Sequence, residues 1–106
     1  MTPMAKLYAM YKHPADPAAF DRYYYATHVP VAKKAPGLRH YEVTSGNVAA
    51  VGGGGAPYHL IAMLTFDSLD AIGAALASPE GQATAADLAN FATGGVDLYM
   101  ADTRTI

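Results

Sequence analysis

The chain has no cysteine in its 106 residues. A disulfide framework, a thiolate metal site and a cysteine nucleophile are therefore excluded. Charge is also scarce: charged residues make up 15% and the formal net charge is −2, with no block of one sign. Lys33-Lys34 with Arg39 is the only basic cluster, too small for a nucleic-acid surface. No apolar run is long enough to cross a membrane, and the start, Met1-Thr2-Pro3-Met4-Ala5-Lys6, lacks the hydrophobic stretch of a secretory signal. A soluble cytoplasmic protein is the expectation. No Gly-x-Ser-x-Gly elbow is present, and Ser45, Ser68 and Ser78 read as turn or cap residues, so a serine-hydrolase triad has no support.

What the chain does have is apolar residues, 52% of the total, which is too many for disorder. The length suits one compact domain, residues 1–106. So little charge on so small a domain predicts that a partner covers some apolar surface, most simply a second copy.

Along the chain, Lys6–Lys12 reads as a first strand. Asp16 is a good N-cap and Pro17 suits the first helical position. The helix that follows runs to a kink near Val29, continues in a second segment to Ala35, and is stopped by Pro36-Gly37. Leu38–Ser45 is a second strand. The segment from Gly46 to Pro57 contains Gly52-Gly53-Gly54-Gly55 and reads as a mobile connection. It is not a phosphate loop, because no Lys-Ser or Lys-Thr follows and it leads into a strand. Tyr58–Phe66 is the clearest strand, followed by helices over Leu69–Ala77 and from Ser78-Pro79-Glu80 to about Phe91, then a last strand over Val96–Asp102.

The order β-α-β-β-α-β predicts an α+β, ferredoxin-like domain with helices on one face of a four-stranded antiparallel sheet. In Tyr58–Phe66 the positions Tyr58, Leu60, Ala62, Leu64 and Phe66 share one face, and Ile61 and Met63 the other. Both faces are apolar, so the expectation is a homodimer joined through the sheets.

The stretch Tyr23-Tyr24-Tyr25-Ala26-Thr27-His28-Val29-Pro30 puts a titratable histidine on an aromatic helix. Phe20, Tyr24, Thr27, His28 and Val31 recur at helical spacing and share the face expected to pack inward, bordering a cavity between helices and sheet. Pro30 offers no N–H to the Ala26 carbonyl and disfavours helical geometry at Val29, so the helix kinks or restarts beside His28. Two readings stand: a hydrogen-bonded core histidine, or a histidine on a ligand site. In the second, His28 accepts or relays a proton and Tyr24, one turn earlier, donates a hydrogen bond. Tyr11 and Tyr99 are further candidates for the cavity wall. Asp87, a carboxylate in an apolar helix, either orients His28 or lies with Asn90 on the solvent side.

The four histidines invite a metal hypothesis. Topology argues against it, because His13 and His59 fall at one end of the sheet and His40 at the other, towards which the first helix carries His28. No His-x-x-x-His spacing is present. Neither a metal nor a cofactor is expected.

These residues resemble the EthD family, within the dimeric α+β barrel superfamily. The resemblance rests on Tyr11-Lys12, on Phe20, Tyr23-Tyr24, Thr27-His28 and Pro30, on Pro36-Gly37-Leu38, and on Ser78-Pro79-Glu80-Gly81-Gln82 with Asp87 and Phe91. Many relatives carry tryptophan where this chain has Tyr24, which implies a smaller and more polar pocket here. The family is named for an association with ethyl tert-butyl ether degradation. The resemblance implies a dimeric barrel and a small-molecule-binding protein, an accessory in the degradation of organic compounds. The alternative it implies is a cofactor-independent enzyme, a cyclase, isomerase, lyase or monooxygenase, with His28 and Tyr24 as its acid–base pair. A third is a haem protein with His28 as axial ligand. An apolar small molecule is the expected partner in the first two.

Overall fold

The computed structural model describes residues 4–106, so residues 1–3 of the expected domain lie outside it. Four strands, β1 (Met4–Lys12), β2 (His40–Val43), β3 (Tyr58–Phe66) and β4 (Val96–Thr103), form one antiparallel sheet in the order β2-β3-β1-β4. β3 pairs with both β1 and β2, placing Ala9 beside Ala62 and Val43 beside Ala62 on its other side. This is the ferredoxin-like arrangement read from the sequence. No helix among the described residues is long and apolar enough to cross a membrane.

Alternation along the strands sorts side chains onto two faces. Ala5, Ala9, Tyr11, Leu60, Ala62, Leu64 and Phe66 are buried beneath the helices, together with Phe20, Tyr24, Ile72 and Phe91. The opposite face carries Tyr8, Met10, Ile61 and Met63, half-buried, and Tyr99 on β4, which pairs with Tyr8.

Helices α1 (Pro17–Tyr23) and α2 (Val29–Ala32) follow β1, and α3 (Leu69–Ala77) and α4 (Pro79–Asp87) follow β3. Asp16 caps α1 by accepting from the Ala19 N–H at 3.1 Å, with Pro17 in the first turn. Between α1 and α2 the chain takes one wide π-helical turn, Tyr24–His28, in which the Val29 N–H reaches the Tyr24 carbonyl five residues back. The expected kink is this turn, and it ends at His28, two residues before Pro30, whose ring nitrogen has no hydrogen to continue a regular ladder. The helix after it is shorter than read from the sequence, ending at Ala32. The last helix also stops early: α4 ends at Asp87, and Leu88–Asn90 form a tighter 3₁₀ turn before Phe91.

Candidate functional site

The π-helical turn sets the site. In a regular helix four residues overshoot one turn by about 40°, so a face built on every fourth residue drifts. The extra residue in the wide turn absorbs this drift. Phe20, Tyr24, His28 and Ala32 consequently all point inward, each no more than 3% exposed. Thr27, read as part of the inward face, is turned out and exposed. Val31 is likewise displaced by Ala32.

Between this helix, the α3–α4 pair and the sheet lies a cavity of about 270 Å³. Its floor is Leu7, Ala9, Ala62 and Leu64, and its polar groups are chiefly Tyr11, Tyr24, Tyr41 and His28. No lysine or arginine borders it. Its mouth opens past Leu76, Leu98 and Met100, each roughly half-exposed, at the edge strand β4.

His28 is held from behind. Its Nδ1 lies 2.8 Å from Asp87 Oδ2, at the end of α4. The other carboxylate oxygen accepts from the Tyr23 hydroxyl at 2.6 Å and from the Asn90 amide at 2.9 Å. Burial pushes the Asp87 carboxyl up, but the hydrogen bonds from Tyr23, Asn90 and His28, together with the charge His28 carries when protonated, hold it below the usual carboxylate range. An ionised carboxylate only accepts, so Nδ1 carries the hydrogen and Nε2 is left to face the Tyr11 hydroxyl, 3.4 Å away. Phe91 covers the imidazole with its ring centroid at 4.6 Å.

The phenols form a second group. The Tyr24 hydroxyl sits 2.6 Å from that of Tyr41 on β2. Burial raises Tyr11, Tyr24 and Tyr41 above the ordinary phenol value, so all three stay protonated near neutrality. They are hydrogen-bonding groups and not phenolate bases.

The structure thus brings Tyr11, Tyr24 and His28 to the cavity wall and places Asp87 directly behind His28, in contact with it. The solvent-side alternative for Asp87 does not hold, since its side chain is only 11% exposed. Two expected ligand-contacting residues are corrected. Thr27 faces solvent. Phe20 packs behind the cavity, against Tyr11 and His59, and does not border the open volume. Tyr99 touches the cavity only at its β4 rim, and strand alternation turns its ring to the opposite face of the sheet. Sequence reasoning missed Tyr41, Tyr23 and Asn90 as members of the site. Asn90, three residues after Asp87, was within reach of a spacing argument; Tyr41 needed the β2–β3 register.

His13 and His59 meet at one end of the sheet, their rings 6.3 Å apart. Each has its own partner: His13 Nε2 donates to the Ala56 carbonyl at 2.8 Å, and His59 Nε2 pairs with Asp21 at 2.8 Å.

Because Asp87 is depressed on folding, its share of stability is fully present above its unfolded value, about pH 4, and is lost as pH falls through the lower folded value. Thermal midpoints followed downward from pH 6 should therefore show a difference between the native chain and Asp87→Asn that shrinks below about pH 4. A difference that stays constant to pH 2 would contradict the clamp of donors on Asp87.

A four-stranded sheet with two helical units on one face, enclosing an apolar cavity bordered by a histidine that an aspartate holds from behind, defines a small ferredoxin-like domain. The chain belongs to the EthD family: the EthD domain model matches residues 12–95. It is 41% identical over 103 residues to an uncharacterized 11.0 kDa protein in the thcB-thcC intergenic region of Rhodococcus erythropolis, covering 97% of this chain and 98% of that one. The crystal structure of an ethyl tert-butyl ether d (ethd) family protein from Bacillus halodurans superposes with a TM-score of 0.84 at 33% identity, covering 92% of this chain and 96% of that one. Two more distant structures share the fold. One is a dimeric ferredoxin-like protein from Thermobifida fusca, with a TM-score of 0.66, 14% identity and coverage of 99% and 93%. The other is SnoaB, a cofactor-independent oxygenase from Streptomyces nogalater, with a TM-score of 0.61, 15% identity and coverage of 100% and 95%.

Proposed function

We propose that this protein binds a small apolar molecule in the cavity between helices and sheet, with Tyr11, Tyr24 and His28 among the polar groups of its wall. The observation that carries the reading is the cavity itself: about 270 Å³ of apolar space whose few polar groups converge on one wall. A core histidine needs no such opening beside it. The family name supports an accessory role in the breakdown of organic compounds such as ethyl tert-butyl ether. Titration with 2-naphthol, followed by methyl NMR, should shift Ile72 and Leu64 saturably and leave Ile61 and Met63 on the opposite face unmoved. Shifts confined to Ile61 and Met63, or none, would overturn it.

One observation favours a catalytic second reading. Asp87, His28 and Tyr11 form a chain that fixes the imidazole tautomer and aims Nε2 at the cavity, as a general base requires. SnoaB, with the same fold, is by its name a cofactor-independent oxygenase. Under this reading His28→Ala lowers turnover of a carbonyl-activated aromatic or a lactone by about 100-fold or more. Unchanged turnover would leave binding alone.

The homodimer belongs to the same proposal. Tyr8, Met10, Ile61, Met63 and Tyr99 make one apolar face with no cover from the chain's own helices, and a second sheet packed against it buries that face. Sedimentation at micromolar concentration should give a dimer, and Met63→Lys should give a monomer. A native chain that sediments as a stable monomer would exclude this.

A further inference from the structure

We infer that Tyr41 is a ligand-facing hydrogen-bond donor which, with His28, selects a neutral molecule bearing both a carbonyl and an acidic hydroxyl. The inference deepens the small-molecule reading above and rests on it.

The argument begins with satisfaction of buried hydrogens. Tyr24 is fully buried, and the Tyr41 oxygen, 2.6 Å away, is the partner within reach of its hydroxyl. A sealed phenol hydrogen without an acceptor is costly, so Tyr24 donates and Tyr41 accepts. Tyr41 is half-buried and borders the cavity, which leaves its own O–H free to point into the open volume. A ligand carbonyl oxygen is the matching acceptor.

At His28 the polarity is opposite. Asp87 holds Nδ1–H, so in the neutral imidazole it is Nε2 that presents the lone pair. Its contact with the Tyr11 hydroxyl, 3.4 Å, is long for a hydrogen bond and leaves room for a better donor. A ligand hydroxyl placed there donates to Nε2 and accepts from Tyr11. The rest of the wall is largely apolar, Ala9, Ala62 and Leu64 among it, which asks for an apolar frame such as fused aromatic rings.

Charge decides the rest. Among the described residues no lysine or arginine borders the cavity, its phenols are neutral, and His28 has Asp87 beside it as its own counter-ion, so a carboxylate or phosphate would lose water without gaining a free counter-charge. The ligand is therefore neutral on entry, acidic at one oxygen and basic at the other.

Four matched probes test this: 6-acetyl-2-naphthol, which has both groups; 2-acetylnaphthalene, without the hydroxyl; 2-naphthol, without the carbonyl; and 6-hydroxy-2-naphthoate, a carboxylate. Affinities read from the Ile72 methyl shift should favour 6-acetyl-2-naphthol over each of the others by about tenfold, one hydrogen bond to a buried site in each case. Tyr41→Phe should erase its advantage over 2-naphthol and keep its advantage over 2-acetylnaphthalene. That substitution removes the acceptor for Tyr24, so the comparison of four probes on the native chain stands as the primary test. Should 2-acetylnaphthalene or the carboxylate bind within twofold of 6-acetyl-2-naphthol, the two-group selection is wrong while the cavity reading survives. Should none of the four shift Ile72, both fail together.

Discussion

Gly81→Ala is expected to cost about 3 kcal/mol or more, in the upper range for overpacking, and to lower the urea midpoint accordingly. A methyl group at this position would overlap the Ala75 carbonyl oxygen and lie 2.8 Å from the Leu76 Cα, both backbone atoms that no rotamer change moves. The crowding comes from one serine. Ser78 closes α3 and opens α4: its Oγ donates to the Ala75 carbonyl at 2.5 Å and accepts from the Gly81 N–H at 3.0 Å. The two helices are thereby folded onto each other so tightly that the second has no room for a side chain at position 81, where its first turn meets the end of α3. Gly73 supplies the control. It sits inside α3, and a methyl group there would meet nothing within 4 Å, so Gly73→Ala should stabilise the chain by about 0.5–1 kcal/mol. Equal effects at the two glycines would refute the account.

Phe91→Ala should be comparably severe, about 3–5 kcal/mol, because the ring is buried and its loss leaves a void that its neighbours cannot fill. Those neighbours are Tyr11, Phe20, Tyr23, Tyr24 and His28, with ring centroids from 4.6 to 5.7 Å away. The same ring covers His28, so the substitution should also loosen the imidazole and weaken binding of 2-naphthol beyond what global unfolding removes. Phe91→Leu keeps most of the volume and should cost less than about 1.5 kcal/mol with binding largely retained. Urea unfolding and the naphthol titration on the same samples separate the two effects. A Phe91→Ala chain with native stability would show that the aromatic cluster is not the keystone of the packing.

The fold was legible because its signals are local. Asp16-Pro17 and Ser78-Pro79 mark helix starts, and Tyr58–Phe66 is apolar at almost every position, as a strand with apolar faces on both sides must be. The site was legible only in part. His28, Tyr24 and Tyr11 stood out as polar groups in apolar company. The error at Thr27 has a definite cause: a regular helical period was extended through the wide turn Tyr24–His28, and Thr27, inside that turn, and the positions after it are rotated away from that period. Phe20 was placed on the correct face but a layer too far forward, a distinction that periodicity cannot make. Asp87 was named as one that either orients His28 or faces solvent, and only the packing of α4 decides between the two; Tyr41 comes to the site through the register of β2 on β3 and was not named.

The position of the mouth bears on how a dimer would work. The cavity opens beside β4 through Leu76, Leu98 and Met100, on the helical side of the sheet, whereas the proposed junction lies on the other side. Each copy then has a private doorway. Loading one protomer neither waits for its twin nor blocks it, so occupancy should rise as a simple hyperbola with one ligand per chain, and the assembly need never come apart to exchange its contents.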